Sequence, residues 1–529
     1  MNKVFVFGID GGSLAVIKEL IKSGELPTFQ KLIQNGTSGI LHSTIPPHTA
    51  PGWVSAVTGV GPGNHGVYQF WDTQGQDYVG RFMGSRDWKS TPLWKVLNKA
   101  GLKTGVVNVP MTHPPCPMDG YIITWPLSNT LRYSYPESLL SEIAVQGGHY
   151  LPDISIMCHG EKEYVEKAVN ITQKRVQTVK YLLKTYEWDF MMAVFPEVDR
   201  ISHFYWHFWD ENSVEYCPSA SKEEKNAIVD MYRATDKALS EVLSILPEDT
   251  LLLVMSDHGF GAGEYNFNVQ TFLMDKGFLF AKAWGYDTES TTDQGGSWFT
   301  YSKEGTEYEV DWTKTKAYMA APGSYGVNIN LKGRQRDGIV SREEFENVRT
   351  QVLEQLMTVR HPVSNEPIFR EVVRSEDVYK GKFNKGAPDL ILIPYDYGIM
   401  VNHNVVPGKW FSSPEQKGMH RQEGLIIAAG PGVKKNNLIH NAKLEDIFAT
   451  VLNHFGLTVP DSSEGQVLQI YYGQTEADKS SDKIMKNSIK YSNIEESEGS
   501  CPEEKQSESS YSEDEQSEIE ERLKSLGYL

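Results

Sequence analysis

A chain of 529 residues with a formal net charge of −18 offers no basic face for a nucleic-acid duplex, and its 40% apolar content is enough for a large buried core. No run reaches the ~18 uninterrupted apolar residues of a membrane span. The apolar segment behind Met1 is too short for a secretory core, so the expectation is a soluble, cytoplasmic protein. Cys116, Cys158, Cys217 and Cys501 lie far apart without CxxC spacing, which points to neither a disulfide framework nor a thiolate zinc site and fits a reducing interior.

In chain order, residues 4–9 form an apolar run without alternation, the pattern of a parallel strand covered on both faces. It ends in Asp10, followed by Gly11 and Gly12. Ligands of open α/β sheets sit beyond the carboxyl ends of strands, so Asp10 is a site candidate. Helical spacing covers 13–22 and 28–35, with Pro27 suited to opening the second helix. Residues 45–53 then place the Thr49 hydroxyl between Pro47 and Pro51, before a helix start near Pro51. The prolines restrict the backbone and Gly52 admits a close neighbour, so Thr49 reads as a nucleophile, with helix capping as its plain alternative. A threonine hydroxyl needs a base, a lowered pKa or a metal, and His48 is the one local base. A strand at 104–109 is closed by Pro110.

Between 160 and 245 two helical patterns flank a strand at 188–195, beyond which stand Asp199 and His203. A further strand at 250–256 runs into Asp257, His258 and Gly259. Residues 261–415, with one helix near 341–357, read as a mixed insertion forming a cap and part of the sheet edge. His420 precedes a strand at 425–429 and the turn Gly430-Pro431-Gly432, and a helix at 443–454 closes the body. The catalytic core is therefore 1–260 with 416–470. Residues 475–517 are acidic and too poor in large apolar groups to order, and 518–529 form a short amphipathic helix able to dock on the core.

Asp10, Asp199, His203, Asp257, His258 and His420 make a nitrogen and oxygen donor set without thiolate. Such a set suits zinc, manganese or iron(II) better than magnesium, and six groups exceed the need of one tetrahedral ion. Two divalent ions ~3.5–4 Å apart would polarise a phosphoryl oxygen and activate a hydroxyl, so a metal rather than His48 would activate Thr49. Singly, each motif has a bland reading. Asp257-His258 can be a loop pair, and Asp199-x-x-x-His203 is nonspecific, with His207 one turn on as a competitor. His42, His65, His113, His159 and His403 read as structural or solvent-facing, and the aromatic run 204–209 as packing.

Taken together, Asp10, Thr49-Ala50-Pro51-Gly52-Trp53, Thr58-Gly59, Pro62-Gly63-Asn64-His65-Gly66, Asp199-x-x-x-His203, Ser256-Asp257-His258-Gly259, His420 and Ala429-Gly430-Pro431-Gly432 resemble the alkaline phosphatase superfamily. Within it the match is to the type I phosphodiesterase/nucleotide pyrophosphatase branch and its phosphohydrolase and phosphomutase relatives, over about residues 1–460. The resemblance implies an α/β/α sandwich with a mostly parallel central sheet and an inserted cap. It implies one ion held by Asp10, Thr49, Asp257 and His258 and another by Asp199, His203 and His420, zinc being typical of the branch and manganese possible. It also implies in-line attack by Thr49 on a phosphorylated small molecule through a covalent phospho-threonine. Phe70 and Gly52 stand where nucleotide pyrophosphatases usually have asparagines, so Gln69 is a candidate substitute. Arg200 and Arg421 are candidate phosphate clamps. The alternatives are a phosphomonoesterase or phosphomutase, or a binding protein retaining the fold. Sulfatases need Cys or Ser followed by Arg, where this chain has Thr49 and Trp53.

Overall fold

The computed structural model describes residues 3–73, 75, 78, 80–128, 130–147, 150–153, 163–283, 308–321, 323–472 and 510–525. A nine-stranded sheet runs through it. In chain order its strands are β1 (Lys3–Ile9), β2 (Thr37–His42), β3 (Thr104–Val107), β4 (Gly120–Ile123), β5 (Ser134–Tyr135), β6 (Phe190–Phe195), β7 (Thr250–Met255), β8 (Glu423–Ala429) and β9 (Asn437–Lys443). Their spatial order is β9-β2-β8-β7-β1-β6-β3-β4-β5. The five central strands from β7 to β4 are parallel, whereas β8 runs antiparallel to both β7 and β2. β6 and β7 are buried at every position, as expected for strands covered on both faces.

Helices α1 (Leu14–Lys22), α2 (Pro27–Asn35), α3 (Thr49–Thr58), α4 (Tyr164–Thr185), α5 (Glu197–Trp209), α6 (Lys222–Leu243) and α7 (Asp446–His454) cover the sheet. The period-2 alternation of β1 divides the core. Phe5, Phe7 and Ile9 pack with α1, α2, α4, α5 and α6, while Val4 and Val6 pack with Trp53 and Val54 of α3 and Phe448 of α7. The result is the α/β/α sandwich. α1 starts on Ser13, which accepts a hydrogen bond from Val16 N–H, and α2 starts at Pro27.

Among the described residues the strands of the insertion lie outside the central sheet, whose edges are β9 and β5. Instead Ala317–Tyr318, Gly326–Ile329, Leu390–Pro394 and Phe369–Arg374 make a separate four-stranded antiparallel sheet. Its own core includes Val327, Leu390, Leu392 and Val352 of the helix Phe345–Leu356. With their apolar faces satisfied there, these strands have nothing to gain from the edge of another sheet. A two-stranded antiparallel ribbon, Gly259–Ala262 on Gly418–Arg421, closes the neck of the insertion.

Residues 473–509 lie outside the described residues, and with them most of the expected acidic linker. The terminal helix α8 (Glu513–Ser525) begins earlier than expected and buries Ile519 in the core, and the Tyr511 ring stacks on His113 at 5.5 Å. Cys217 is free, whereas Cys116 is disulfide-bonded, which differs from the expectation of reduced cysteines.

Gly8 couples this packing to the carboxyl end of β1. A Cβ there would stand 2.7 Å from the Trp53 ring and 2.8 Å from Val194 Cγ2. Gly8→Ala is therefore expected to destabilise the fold by about 1–3 kcal/mol through overpacking, read as a lower urea midpoint at unchanged slope.

Candidate active site

β7, β1 and β6 are neighbours in the sheet, so their carboxyl ends bring the site residues together. Asp10 follows β1, and Asp257 and His258 follow β7. β6 leads through Pro196 into α5, whose first turn carries Asp199 and whose next turn carries His203 on the same face. Gly11 sits at φ +68°, and a Cβ there would meet the Phe260 ring at 2.8 Å and Asp199 Cα at 3.0 Å. Glycine thus lets the end of β1 lie against α5. Gly52 does the same for α3, where a Cβ would come within 3.3 Å of Asp257 Cβ. Thr49 is the first residue of α3, and His48 caps that helix by accepting from Ala50 N–H.

The donors form two overlapping groups among the described residues, Asp10 with Asp257 and His258, and Asp199 with His258 and His420, each with its ligand atoms within 4.8 Å of one another. Thr49 Oγ1 lies 3.4 Å from Asp10 Oδ1 and 3.3 Å from His258 Nε2. His258 Nε2 stands 3.4 Å from Asp10 Oδ1 and 3.3 Å from Asp257 Oδ2. Around Asp199 Oδ1, His203 Nε2 lies at 3.3 Å and His420 Nε2 at 3.2 Å. The ribbon carries His420 opposite Phe260 and so into this group.

Each imidazole has its other nitrogen at a backbone carbonyl. His203 Nδ1 meets Gly418 O at 3.0 Å, His258 Nδ1 meets Gly259 O at 3.1 Å, and His420 Nδ1 meets Pro47 O at 3.2 Å. A carbonyl accepts only, so Nδ1 carries the proton and Nε2 turns its lone pair to the centre, the tautomer of a metal ligand. His203 Nε2 and His420 Nε2 consequently face each other at 3.1 Å. Two converging lone pairs beside a carboxylate fit a cation, and Asp257 Oδ2 accepts no hydrogen bond among the described residues. The residues present therefore fit two divalent ions, with His258 between the groups.

Electrostatics agree. Burial, then the neighbouring Asp199, pushes the Asp10 carboxyl up to about 7, and burial with Asp10 and Asp199 raises Asp257 well above the usual range. Burial works to raise Asp199 as well, but His203 and Arg200 outweigh it and hold that carboxyl well below its usual range. Burial lowers His258 to about 4 and His420 to about 3, keeping both neutral.

The candidate substrate contacts fare differently. Arg200 is buried, ion-pairs with Asp199 Oδ2 and reaches Asp153 Oδ2 at 3.0 Å, and its guanidinium lies over Trp125. Its guanidinium is thus engaged with the Asp199 and Asp153 carboxylates. Arg421 is held by Asp396 at 3.0 Å and by the carbonyls of Met419, His420 and Ala262, away from the cleft. Gln69 lies in a separate slot beyond Phe70. His65 is structural, joining Ser55 Oγ at 3.0 Å and accepting from Val67 N–H.

A cleft opens over the donors, walled by Pro47, His48, His203 and His420 and by Gly323, Tyr325 and Met400 of the insertion. Gln416, also on its wall, is 5% exposed, and its Nε2 donates no hydrogen bond among the described residues. Sequence reasoning missed Gln416, Asp153 and Trp53, whose Nε1 donates to Asp10 Oδ2 at 3.2 Å. Of these, Trp53 alone had a signal, its place in the Thr49 motif.

The type I phosphodiesterase / nucleotide pyrophosphatase family model matches residues 4–423. The chain belongs to that family. No curated protein sequence matches it. Among solved structures, murine ectonucleotide pyrophosphatase / phosphodiesterase 5, in an inactive form in complex with AMP, superposes with a TM-score of 0.52 at 14% identity, covering 88% of this chain and 97% of that one. The human enzyme gives a TM-score of 0.51 at 14% identity over 88% and 100%. Phosphonoacetate hydrolase from Sinorhizobium meliloti, in complex with phosphonoformate, gives 0.50 at 14% over 84% and 94%. Membership makes this family member a phosphoric ester hydrolase with the alkaline-phosphatase-like fold. No described helix is long and apolar enough to cross a membrane.

The raised Asp10 carboxyl makes the metal-free family member pH-sensitive. Its folded pKa of about 7 exceeds the ordinary 3.8, so its contribution is full below 3.8 and lost as pH rises through about 7. The lowered His258 and His420 act in the opposite direction, so the Asp10 contribution is read as the part of the change in melting temperature of the chelated protein between pH 5.5 and 7.5 that Asp10→Asn removes. Adding zinc at pH 7.5 should raise the melting temperature with release of protons, measured by calorimetry in buffers of different ionisation enthalpy.

Proposed function

We propose that this protein hydrolyses phosphodiesters of the nucleotide or related small-molecule type, using Thr49 as nucleophile at a centre of two divalent ions, zinc first and manganese second. The observation that carries the reading is the Thr49 hydroxyl lying 3.4 Å from Asp10 and 3.3 Å from His258, inside one donor group and beside the other. When bound, the ions would supply charge stabilisation for the phosphoryl group and lower the pKa of the Thr49 hydroxyl. Asp10, Thr49, Asp257 and His258 would hold one, and Asp199, His203 and His420 the other.

The chain's own residues do the rest. Thr49 sits at the amino end of α3, where the helix dipole favours an anionic phosphoryl group. Its oxygen attacks phosphorus, the alcohol leaves from the opposite side with the bonding pair, and a phospho-threonine forms. Water then attacks the same phosphorus and restores the Thr49 hydroxyl. Gln416 Nε2 donates to a phosphoryl oxygen from the wall of the cleft. The insertion residues Gly323, Tyr325 and Met400 shape the exit side and limit which alcohol enters. The murine relative that is inactive carries a threonine-to-alanine change, which supports a threonine at the centre of the chemistry.

Thr49→Ala should lower turnover of an aryl phosphodiester by roughly 10³-fold or more; wild-type rates would exclude Thr49 as nucleophile. Chelation should abolish turnover, and elemental analysis of the reconstituted protein should return about two divalent ions per chain. Gln416→Leu should cost roughly a hundredfold in kcat/KM, measured on the same substrate.

A further inference from the structure

Arg200 stands between two carboxylates, and the side chains of Asp153, Asp199 and Arg200 are all 0% exposed. Its Nη1 donates to Asp199 Oδ2, while Nε and Nη2 donate to Asp153 Oδ2 at 3.3 and 3.0 Å. Trp125 Nε1 donates to the same Asp153 oxygen at 3.0 Å, and the Trp125 ring centroid lies 5.6 Å from Arg200 Cζ. The reaction above gives Asp153 no part. The cleft is walled by other residues, and Asp153 reaches the centre through Arg200.

The segment that delivers Asp153 is tied to the helix that carries Asp199. Arg175 of α4 donates through Nη2 to Leu151 O at 3.3 Å and to Pro152 O at 2.8 Å, and through Nε to the Tyr150 hydroxyl at 3.3 Å. It also ion-pairs with Glu197 in the first turn of α5. One buried guanidinium therefore holds residues 150–152 against the start of α5, and the next holds Asp153 against Asp199.

Charge gives this arrangement a direction. Asp199 Oδ1 faces Nε2 of His203 at 3.3 Å and of His420 at 3.2 Å, while its Oδ2 is taken by Arg200. One oxygen is thus turned to that donor group. Arg200 alone would cancel the charge of Asp199, and a cancelled carboxylate with two imidazole lone pairs would meet a divalent cation without net negative charge. Asp153 returns what Arg200 takes away, so the buried trio carries one net negative charge. The other donor group has two carboxylates, Asp10 and Asp257, and no such need.

We propose that Asp153 is a positioning residue for the ion of the Asp199, His203 and His420 group. Through Arg200 it fixes Asp199 as a one-oxygen ligand and balances the guanidinium charge beside the cation. The inference rests on the two-ion part of the reading above.

Zinc titrations of the chelated full chain, followed by calorimetry, test this separately from turnover. The wild type should bind two ions. Asp153→Asn is nearly isosteric and still able to accept from Arg200 and Trp125; it should weaken one ion by about 10–100-fold and leave the other within about twofold. His203→Ala identifies that ion, because it should remove the same binding step, and adding Asp153→Asn to it should change the remaining ion by less than about twofold. The double variant Asp153→Asn with Arg200→Met removes the positive charge together with its partner. It should bind both ions, the weaker one more tightly than Asp153→Asn does. Equal zinc binding by wild type and Asp153→Asn, or an equal loss at both ions, overturns the proposal. So does a loss that persists in the His203→Ala background, or a double variant no better than the single one. If Asp153→Asn lacks native circular dichroism, the double variant decides alone: two ions bound uphold the proposal, and one ion lost overturns it. If the wild type itself binds fewer than two ions, the two-ion reading fails first and this inference falls with it.

Discussion

Three carboxylates and three imidazoles converge at the base of the cleft, and the charge gathered there governs the structure around it. Asp10, Asp199 and Asp257 are all buried, and burial disfavours their ionised forms. Within the chain the compensation is partial and local. Arg200 answers Asp199, while Asp10 and Asp257 have raised pKa values and pair with no guanidinium among the described residues. His258 and His420 add lone pairs rather than positive charge, because burial keeps both neutral. Such a cluster is tolerable only with protons or cations in it, and its donor geometry suits cations.

Small residues and one large one set that geometry. Gly8 makes room for the Trp53 ring, whose Nε1 fixes Asp10 Oδ2, while Gly11 and Gly52 let α5 and α3 approach the strand ends. Carbonyls from three separate segments, Gly418, Gly259 and Pro47, then set the three imidazole tautomers. The Ile45–His48 segment thus both precedes Thr49 and orients His420 from the far end of the chain. Its own hold on the insertion is Tyr379, which donates to Ile45 O.

How much of the fold and site was legible in the sequence depends on how local each signal is. β1, β6 and β7 are unbroken apolar runs, so their ends, and hence Asp10, Asp257 and His258, could be located from the residues alone. α5 was hidden because the aromatic run Phe204–Trp209 masks a helical period, although Asp199 and His203 have the spacing of one helix face. Arg200 resembles a phosphate clamp when its only visible neighbour is a presumed ligand. Its partner Asp153, 47 residues upstream, belongs to another segment and carries no local mark. The separate sheet of the insertion is likewise a relation between distant residues. The amides obey the same rule: Gln69 stood near the motif yet lies behind Phe70, whereas Gln416 lies far along the chain and faces the cleft.

The ribbon of Gly259–Ala262 on Gly418–Arg421 places the entrance and exit of the insertion side by side, immediately after His258 and around His420. Lys417 N–H also donates to His203 O at 2.6 Å, locking the exit to α5. Between these two clamped ends the insertion supplies Gly323, Tyr325 and Met400 to the cleft wall, and Tyr379 ties it back to Ile45, so the ribbon is the joint through which the chain leaves the donor cluster and returns to it.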